Sequence, residues 1–362
     1  MSRILFLAMN LNSGGAERQT VSIAKAFREL GHDVTVICYS PGDFYQSDLE
    51  QAGVKVVWAL ENNYFSRLLK LRRYIRKGGY DSVVSLLVTP NLINLISAIG
   101  GRRWKVIIGE RSAKSEFFTS NKGFMTKCLM KYTDYLVCNS RNAQKIWQEF
   151  APKYSYKLRC IYNLINDTKP DSTYIPMRND RVNVVVAASY QPLKNMQRLI
   201  LAVANLSSEE KKRLHIDWYG QICVAEYGTK PYDNAQALIK DNDLVEAISL
   251  NPPVKNIYGV MHQADAVALV SEVEGLPNVI CEALMLGKPV VMSNVSDYKV
   301  LVGNENGFVC KYDEIESITH ALRALINLSK EEILYKGKLS RELYESEFSN
   351  KVILENWIKV IL

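Results

Sequence analysis

Two successive runs of short apolar strands, alternating with helical patterns, constrain the fold of this 362-residue chain. In the first run the predicted strands are residues 4–8, 34–38, 82–87, 106–108 and 135–138. In the second run they are residues 184–188, 216–219, 266–270 and 289–292. Mostly apolar strands that each lead into a helix are typical of parallel sheets covered by helices on both faces. The sequence therefore predicts an α/β protein built on two such sheets.

A segment rich in turn formers, NDTKPDSTYIPMRND at 166–180, lies between the two runs. It has little periodicity, which is typical of a linker, and 362 residues are too many for one ordinary core. We predict a first domain over 1–166 and a second domain over 167–348. A last helix over about 349–362 offers Val352, Trp357 and Ile361 for packing.

Charge is distributed unevenly along the chain. Residues 1–170 hold 25 Lys and Arg against 13 Asp and Glu, a balance of +12, whereas the remainder carries −5. Part of the excess lies in 66–80, where a helix would place Leu68, Leu69, Leu71 and Ile75 beside Arg67, Lys70, Arg72, Arg73, Arg76 and Lys77. Such a helix either packs on a sheet or lies on an anionic bilayer. No nucleic-acid-binding motif accompanies the charge, so no nucleic-acid partner is predicted.

The remaining composition is that of an ordinary globular protein, with 48% hydrophobic and 23% charged residues. The start MSRILFLAMN is predicted to be a buried strand rather than a signal peptide, because no small-residue cleavage site follows it. A long uncharged segment, 82–101, is interrupted by Pro90, Asn91 and Asn94, which favours a strand, a loop and a buried helix over a membrane span. The seven cysteines form no CxxC pair and are expected to be reduced in a cytosolic protein.

The segment EGLPNVICEALMLGKPVV at 274–291 predicts a ligand site. Its proline is tolerated in the first turn of a helix, so Glu274 is expected in a loop and Glu282 about one turn inside the helix. The N–H groups near Asn278 and Val279 would then lie at the positive end of the helix dipole, which suits phosphate. On spacing alone, the two glutamates could equally be solvated charges at a helix end.

Two further segments have the same strand-to-helix character. Gly14 and Gly15 follow the first strand and precede the helix that contains Glu17, and glycines there let the backbone approach a ligand closely. Lys194 follows a strand and precedes a helix expected to begin near Asn195. An ammonium group at that place would neutralise the charge of a bound phosphate.

Together these segments resemble glycosyltransferase family 4, retaining enzymes that use nucleotide sugars. The resemblance is carried by EGLPN, EAL and GKPVV within 274–291, SGGAERQTVSIAKAFRELGHDVTVI at 13–37, CNS at 138–140, IYN at 161–163, LKNMQRLILAV at 193–203 and ENGFV at 305–309. The last of these is similar to a late loop of the family. The resemblance implies the GT-B fold, two Rossmann-like domains facing across a cleft, with an acceptor-side first domain and a nucleotide-sugar-binding second domain. It also implies that the last helix crosses back to the first domain.

The resemblance further implies donor-site roles. Glu282 would accept hydrogen bonds from the ribose, Glu274 would act in catalysis by holding sugar hydroxyls, and Lys194 would assist the departure of UDP. The donor-binding residues that it implies are Gly15, Ser189, Lys194, Glu274, Gly275, Leu276, Asn278, Val279 and Glu282. The family usually has Gly-Arg-Leu shortly before the lysine, whereas this chain has Ala188, Ser189 and Tyr190. The usual second phosphate-binding cation is therefore missing at Ser189.

The acceptor side is expected at IIGERS, residues 107–112, which is similar to a variant in enzymes that extend lipid-linked sugars. Glu110 is a candidate catalytic residue that would orient an acceptor hydroxyl, and Arg111 is a candidate for binding phosphate or sugar. An internal ion pair at a strand end is the alternative interpretation for both. Gly14 and Glu17 complete the acceptor-side set by resemblance.

The predicted reaction moves a sugar from a UDP-sugar donor to a hydroxyl of a lipid-linked saccharide acceptor, in synthesis of lipopolysaccharide, capsule or another envelope glycan. The enzyme is expected in the cytoplasm, bound peripherally to the anionic inner face of the cell membrane. Asp241 and Asp243 resemble a metal-binding Asp-x-Asp pair only superficially, because they follow a helical segment. No metal or other cofactor is predicted. A nucleotide-sugar epimerase and a non-catalytic nucleotide-binding subunit remain alternatives.

Overall fold

The computed structural model describes residues 1–111, 115–167, 173–224, 226–303 and 305–362. They form two compact units, Met1–Leu164 with Asn350–Leu362 (unit 1) and Ile165–Ser349 (unit 2). Ser112 of the IIGERS segment and residues 168–172 of the expected linker lie outside the described residues. Throughout the described ranges, no helix is both long enough and apolar enough to span a bilayer.

The strands form one sheet in each unit. Those of unit 1 are β1 (Arg3–Ala8), β2 (Asp33–Cys38), β3 (Lys55–Trp58), β4 (Ser82–Ser85), β5 (Lys105–Glu110), β6 (Tyr135–Cys138) and β7 (Leu158–Cys160). Those of unit 2 are β8 (Val182–Ala187), β9 (Leu214–Tyr219), β10 (Ile248–Asn251), β11 (Ala266–Leu269), β12 (Val290–Ser293) and β13 (Gly307–Cys310).

Helices connect the strands. In unit 1 they are α1 (Gly15–Glu29), α2 (Gln46–Gln51), α3 (Tyr64–Lys77), α4 (Val88–Ser97), α5 (Ser115–Thr119), α6 (Asn121–Leu129) and α7 (Arg141–Phe150). In unit 2 they are α8 (Met196–Ala204), α9 (Ser208–Lys212), α10 (Lys230–Asp241), α11 (Ile257–Gln263), α12 (Asn278–Met285), α13 (Tyr298–Leu301), α14 (Ile315–Ile326) and α15 (Lys330–Leu343). The last helix, α16 (Asn350–Ile361), belongs to unit 1.

Every strand pairing in both sheets is parallel, which confirms the predicted α/β class. The strand order is β3-β2-β1-β4-β5-β6-β7 in unit 1 and β10-β9-β8-β11-β12-β13 in unit 2. The direction of strand addition reverses between β1 and β4 and again between β8 and β11. At such a switch point the two outgoing loops leave a crevice, which is where ligands bind in open α/β sheets.

The long uncharged segment forms β4 and the buried helix α4, as predicted. The proline and asparagines do not interrupt this helix, contrary to prediction. Pro90 lies in the first turn, where its missing N–H costs no hydrogen bond. The buried amides of Asn91 and Asn94 donate to the carbonyls of Gly109 (2.8 Å) and Val83 (3.0 Å). These side chains therefore tie α4 to the sheet.

Helix α3 packs on unit 1 through one face only. Leu71 and Ile75 lie in the core beneath it, while Leu69 is exposed. The guanidinium groups of Arg72 and Arg76 donate to carbonyls at and just beyond the end of α4, including Arg72 to Ile99 (2.7 Å). The sheet-packing interpretation is therefore correct for this face, and two of the predicted surface arginines have structural partners.

Helix α16 completes unit 1. Trp357 and Ile361 are buried as predicted, whereas Val352 is only half-buried. The hydroxyl of Ser82 on β4 donates to the carbonyl of Ile361 at 2.6 Å. Helix α16 thus contacts a central strand of the first sheet.

The ENGFV segment differs from its predicted form. Residues 307–309 belong to strand β13 rather than to a loop, and Gly307 pairs with Val290 of β12. The buried Asn306 donates to the carbonyl of Leu301 at 3.0 Å, just before this strand. The segment therefore forms the outer edge of the second sheet.

A buried lysine lies between α12 and β12. The Nζ atom of Lys288 is 3.1 Å from the centroid of the Tyr174 ring, whose hydroxyl donates to Asp265 at 2.7 Å. Burial lowers the pKa of Lys288 to about 7, although the Asp265 charge opposes this shift. The ammonium form is therefore disfavoured in the folded protein.

We compare Lys288→Met with the wild type by the difference between their free energies of unfolding, variant minus wild type. We expect this difference to be larger at pH 7 than at pH 10. The unfolded chain holds the lysine proton more tightly, so wild-type stability rises with pH between about 7 and the ordinary lysine pKa. The slope is at most about 1.4 kcal/mol per pH unit. Thermal unfolding of both proteins at several pH values measures this difference. An exposed-site control, Lys338→Met, should lack the trend, and a pH-independent difference for Lys288→Met contradicts the prediction.

Candidate active site

The principal candidate site lies in unit 2, at the switch point between β8 and β11. Val184 and Val185 of β8 pair with Ala266 and Val267 of β11, so the loops that leave both strands start side by side. The loop after β8 carries Lys194, and the loop after β11 carries the EGLPN sequence. Parallel pairing therefore joins two predicted motifs that are far apart in the sequence.

An ion pair connects these two loops. The Nζ atom of Lys194 lies 2.6 Å from Oε1 of Glu274, and the side chains are 20% and 13% exposed. Lys194 ends a 3₁₀ turn (Pro192–Lys194), and Asn195 follows with φ of 63° before α8 begins. The side-chain amide of Asn195 donates to the carbonyl of Val270 at 3.0 Å. The lysine is thus fixed at the start of α8, close to the predicted position.

The EGLPN loop is held by backbone contacts on both sides. The N–H of Glu272 donates to the carbonyl of Leu193 at 2.9 Å. The hydroxyl of Ser293 donates to the carbonyl of Ser271 at 2.6 Å, and that of Ser296 donates to the carbonyl of Gly275. These bonds fix the backbone on either side of Glu274 without using its carboxylate.

Helix α12 begins immediately after this loop, as predicted. Pro277 precedes it with no side-chain cap, Asn278 is its first residue, and Gly287 follows it with φ of 64°. Glu282, in the second turn, is 6% exposed. Leu276 and Val279 at the start of the helix are buried.

Sequence reasoning missed one residue of this site. The hydroxyl of Tyr258 on α11 donates to Oε1 of Glu282 at 3.1 Å. Tyr258 precedes Glu282 by 24 positions and lies in another helix. No local pattern links the two positions, because only the packing of unit 2 brings them together.

The segment at Ser189 carries no positive charge, and its neighbour Tyr190 packs in the core. The next residue, Tyr190, is fully buried, and its hydroxyl donates to the carbonyls of Trp218 (3.1 Å) and Asn251 (2.9 Å). Farther on, Arg198 of α8 pairs with Glu272 at 2.7 Å. Among the described residues, Lys194 is therefore the cation that contacts Glu274.

In unit 1 the glycine loop lies at the other switch point. Gly14 precedes α1 and Gly15 is its first residue, so the predicted helix start is correct. A Cβ atom on Gly14 would lie 2.1 Å from a carboxylate oxygen of Glu17, which leaves room there only for glycine unless Glu17 moves. A small cavity beside Glu17 is also lined by Ala8 of β1 and Leu86 after β4. Gly15, which the resemblance assigns to the donor side, lies in unit 1 as expected from the predicted first domain.

Glu110 is the last residue of β5 and is buried, and Arg111 follows the strand and is half-buried. The Glu110 carboxylate accepts hydrogen bonds from the backbone N–H of Arg111 (2.9 Å) and from the indole of Trp147 (3.3 Å). The Arg111 guanidinium donates to Asn163 at 3.0 Å and lies over the Trp357 ring. Burial lowers the pKa of Arg111 to about 10. Both residues therefore have partners within unit 1.

Side chains that could bind a metal ion do not cluster in the described residues. In those ranges, no three His, Cys, Asp or Glu side chains group together as ligands for a metal ion. Asp241 ends α10, and Asp243 follows in an exposed turn with φ of 53°. The Asp-x-Asp sequence is therefore a helix-end loop, as predicted.

Two family models match this chain. Residues 13–169 match the model described as Glycosyltransferase Family 4, and residues 174–338 match the one described as Glycosyl transferases group 1. The first match lies mostly in unit 1 and the second lies in unit 2. Together they include every strand except β1 and every residue assigned to the candidate site.

Similar proteins cover nearly the whole chain. An uncharacterized glycosyltransferase of Haemophilus influenzae is 28% identical, with 99% of each chain covered. A Campylobacter jejuni α-1,4-N-acetyl-D-galactosaminyltransferase, whose name gives a diphosphoundecaprenol-linked saccharide, is 23% identical and covers 100% of this chain and 98% of its own. The crystal structure of Anabaena HepE with UDP and glucose superposes with a TM-score of 0.82, at 18% identity and 99% coverage of both chains. This chain is therefore a member of glycosyltransferase family 4, a GT-B glycosyltransferase of the bacterial polysaccharide type.

Proposed function

We propose that the enzyme transfers a sugar from a UDP-sugar, with retention of anomeric configuration, to a hydroxyl of a lipid-linked saccharide. The observation that carries this proposal is the Lys194–Glu274 ion pair beside the start of α12, where a diphosphate and a sugar would meet. HepE, which shares the fold, was crystallised with UDP and with UDP-glucose. The Campylobacter relative supports a lipid-linked acceptor through its name.

Each partner of the ion pair has a separate task when the donor binds. The diphosphate competes with Glu274 for the Lys194 ammonium group, and the sugar hydroxyls replace the ammonium as donors to the carboxylate. Glu282 accepts hydrogen bonds from the ribose. Before a donor binds, Lys194 and Glu274 therefore neutralise each other, and a donor with both phosphate and sugar supplies a new partner for each.

The transfer itself exchanges one bond at the anomeric carbon. The bond from that carbon to the β-phosphate oxygen breaks as the bond to the acceptor oxygen forms on the same face. The acceptor proton passes to a phosphate oxygen of the departing UDP, so no separate carboxylate base is needed. Lys194 and the N–H groups at the start of α12 stabilise the charge that develops on the diphosphate.

We expect Lys194→Ala and Glu282→Gln to affect different kinetic constants. Removing the ammonium should lower kcat by roughly 100-fold, because its charge acts most strongly as UDP departs. Replacing the carboxylate by an amide should raise KM for the donor by about ten-fold, because the charged acceptor for the ribose is lost. Steady-state kinetics with a panel of UDP-sugars measures both effects, and product analysis distinguishes a glycoside plus UDP from an epimerised nucleotide sugar.

The matched control for Lys194→Ala is Lys311→Ala, because Lys311 pairs with Glu314 at 2.7 Å at an exposed site of the same unit. It should leave kcat unchanged. Thermal unfolding must show that all three variants are folded. Wild-type turnover in folded Lys194→Ala, or wild-type donor KM in folded Glu282→Gln, would remove that residue from the active site.

We further propose that no divalent metal assists the reaction. Lys194 and the α12 N-terminus provide positive electrostatic potential on the diphosphate side, which is the role a metal ion has in other sugar transferases. Turnover should therefore stay within about two-fold of its original value after treatment with excess EDTA. A large loss that added Mg²⁺ or Mn²⁺ restores would contradict this prediction.

We place the acceptor lipid at a membrane that unit 1 contacts from the cytoplasmic side. Helices α3 and α6 both pack against the buried helix α4, so they lie on the same side of the first sheet. Phe65 and Leu69 of α3 are 72% and 66% exposed, and Phe124 of α6 is 67% exposed. Exposed basic residues accompany them, namely Arg73 and Lys77 on α3 and Lys122 and Lys127 on α6. This combination of exposed apolar and basic side chains suits an anionic bilayer.

The variant that tests membrane docking replaces Phe65 and Leu69 by Ser and Arg73 and Lys77 by Gln. It leaves Arg72 and Arg76 in place, because they hold the end of α4. Each basic residue near an anionic surface contributes about 1 kcal/mol, so loss of the charges alone should weaken vesicle binding roughly thirty-fold. Sedimentation with phosphatidylglycerol-containing vesicles measures binding, which should also weaken with added salt.

The matched control replaces Lys212 and Lys338 of unit 2 by Gln, since both are 72% exposed and lie outside the basic surface of unit 1. It should sediment like the wild type. Equal binding to neutral and anionic vesicles, or full binding by the four-residue variant, would contradict a membrane-docking role and favour a soluble acceptor.

A further inference from the structure

We propose that Tyr258 is a positioning residue for the donor nucleotide. Its hydroxyl holds the Glu282 carboxylate in the orientation in which it accepts hydrogen bonds from the ribose hydroxyls. This inference rests on the proposed function and concerns the same site. Its physical basis is the 3.1 Å hydrogen bond from the Tyr258 hydroxyl to Oε1 of Glu282. Tyr258 acts through Glu282 and is not assigned a contact with the reacting atoms.

The local fold explains how Tyr258 reaches this position. Asn256 caps α11 by accepting a hydrogen bond from the N–H of Gly259 at 3.0 Å, which fixes the first turn that carries Tyr258. The other end of α11 leads directly into β11, the strand whose outgoing loop carries Glu274. Tyr258 is half-buried, so its ring is packed while its hydroxyl extends to α12. The first turn of α11 and the second turn of α12 thus meet at the Glu282 carboxylate.

The chemistry of a carboxylate explains why such a contact matters. The two oxygens of Glu282 can together accept about four hydrogen bonds, so one bond from Tyr258 is compatible with further bonds from two ribose hydroxyls. A hydrogen bond to an ionised acceptor is stronger than one between neutral groups and restricts rotation of the carboxylate. Ordering Glu282 before the nucleotide arrives lowers the entropy that binding would otherwise cost.

A phenylalanine keeps the ring but removes the hydrogen bond. Tyr258→Phe should therefore raise the Kd for UDP by about five- to ten-fold, which is less than the direct loss of one hydrogen bond from the ligand to a charged group would cause, because Tyr258 acts through Glu282. The Kd for 2′-deoxy-UDP should rise much less, since that ligand lacks one of the hydroxyls that donate to the Glu282 carboxylate. Isothermal titration calorimetry with both nucleotides measures the Kd for 2′-deoxy-UDP divided by the Kd for UDP. We expect this ratio to be lower in Tyr258→Phe than in the wild type, and lower still in Glu282→Gln.

Kinetics provides a second readout. At saturating donor, Tyr258→Phe should retain kcat within about two-fold while KM for the donor rises, because the ribose contact is made before and during the transfer alike. The matched control is Tyr335→Phe, at a tyrosine that is 57% exposed in α15. It should match the wild type in both Kd values and in KM.

The outcomes separate this inference from the proposed function. Loss of ribose discrimination in Glu282→Gln, with wild-type discrimination in Tyr258→Phe, overturns the role of Tyr258 and leaves the proposed function standing. Unchanged UDP binding in both variants overturns the proposed role of Glu282 itself. An equal loss of UDP and 2′-deoxy-UDP affinity in Tyr258→Phe, together with a lowered unfolding temperature, assigns Tyr258 a purely structural role. If Tyr258→Phe does not fold, Tyr258→His, which keeps a polar ring but lacks the phenol hydroxyl, provides the same comparison of the two ligands.

Discussion

The parallel pairing of β8 with β11 is the constraint on which the candidate site depends. It places two outgoing loops side by side although Lys194 and Glu274 are 80 residues apart. Each residue alone would be an ordinary charge near a helix start. Their 2.6 Å ion pair, only partly open to water, costs desolvation that a surface pair avoids. The net contribution of such a pair to stability is therefore small, which agrees with the proposal that a donor exchanges partners with it.

The sequence predicted the interior of both sheets better than their edges. All nine predicted strands are interior strands, and the four that were not predicted, β3, β7, β10 and β13, are the four sheet edges. Interior parallel strands are buried on both faces and form apolar runs, whereas edge strands are short and half-exposed and lack that signal. Asn91 and Asn94 show that polar residues can also mislead the prediction. Their polarity suggested a loop, but each pairs with backbone carbonyls inside the core.

At the site, local sequence sufficed where a motif is continuous. The loop position of Glu274, the helical position of Glu282 and the helix end at Gly287 all follow from residues within one segment. Contacts between distant segments did not follow. The Tyr258–Glu282 hydrogen bond, the burial of Glu110 against Trp147 and the capping of α4 by Arg72 each depend on tertiary packing. A charge count cannot tell a basic residue that faces solvent from one that donates to a neighbouring helix.

The contact between α16 and β4 has a consequence for how the chain acquires its structure. The carbonyl of Ile361 accepts the Ser82 hydroxyl, and Trp357 lies within the first unit, yet all of unit 2 precedes α16 in the chain. During synthesis, unit 2 can therefore complete its sheet before unit 1 receives its last helix. The first unit to emerge from the ribosome is the last to close, and its apolar surface beneath α16 stays open to chaperones and to misfolding throughout the synthesis of unit 2.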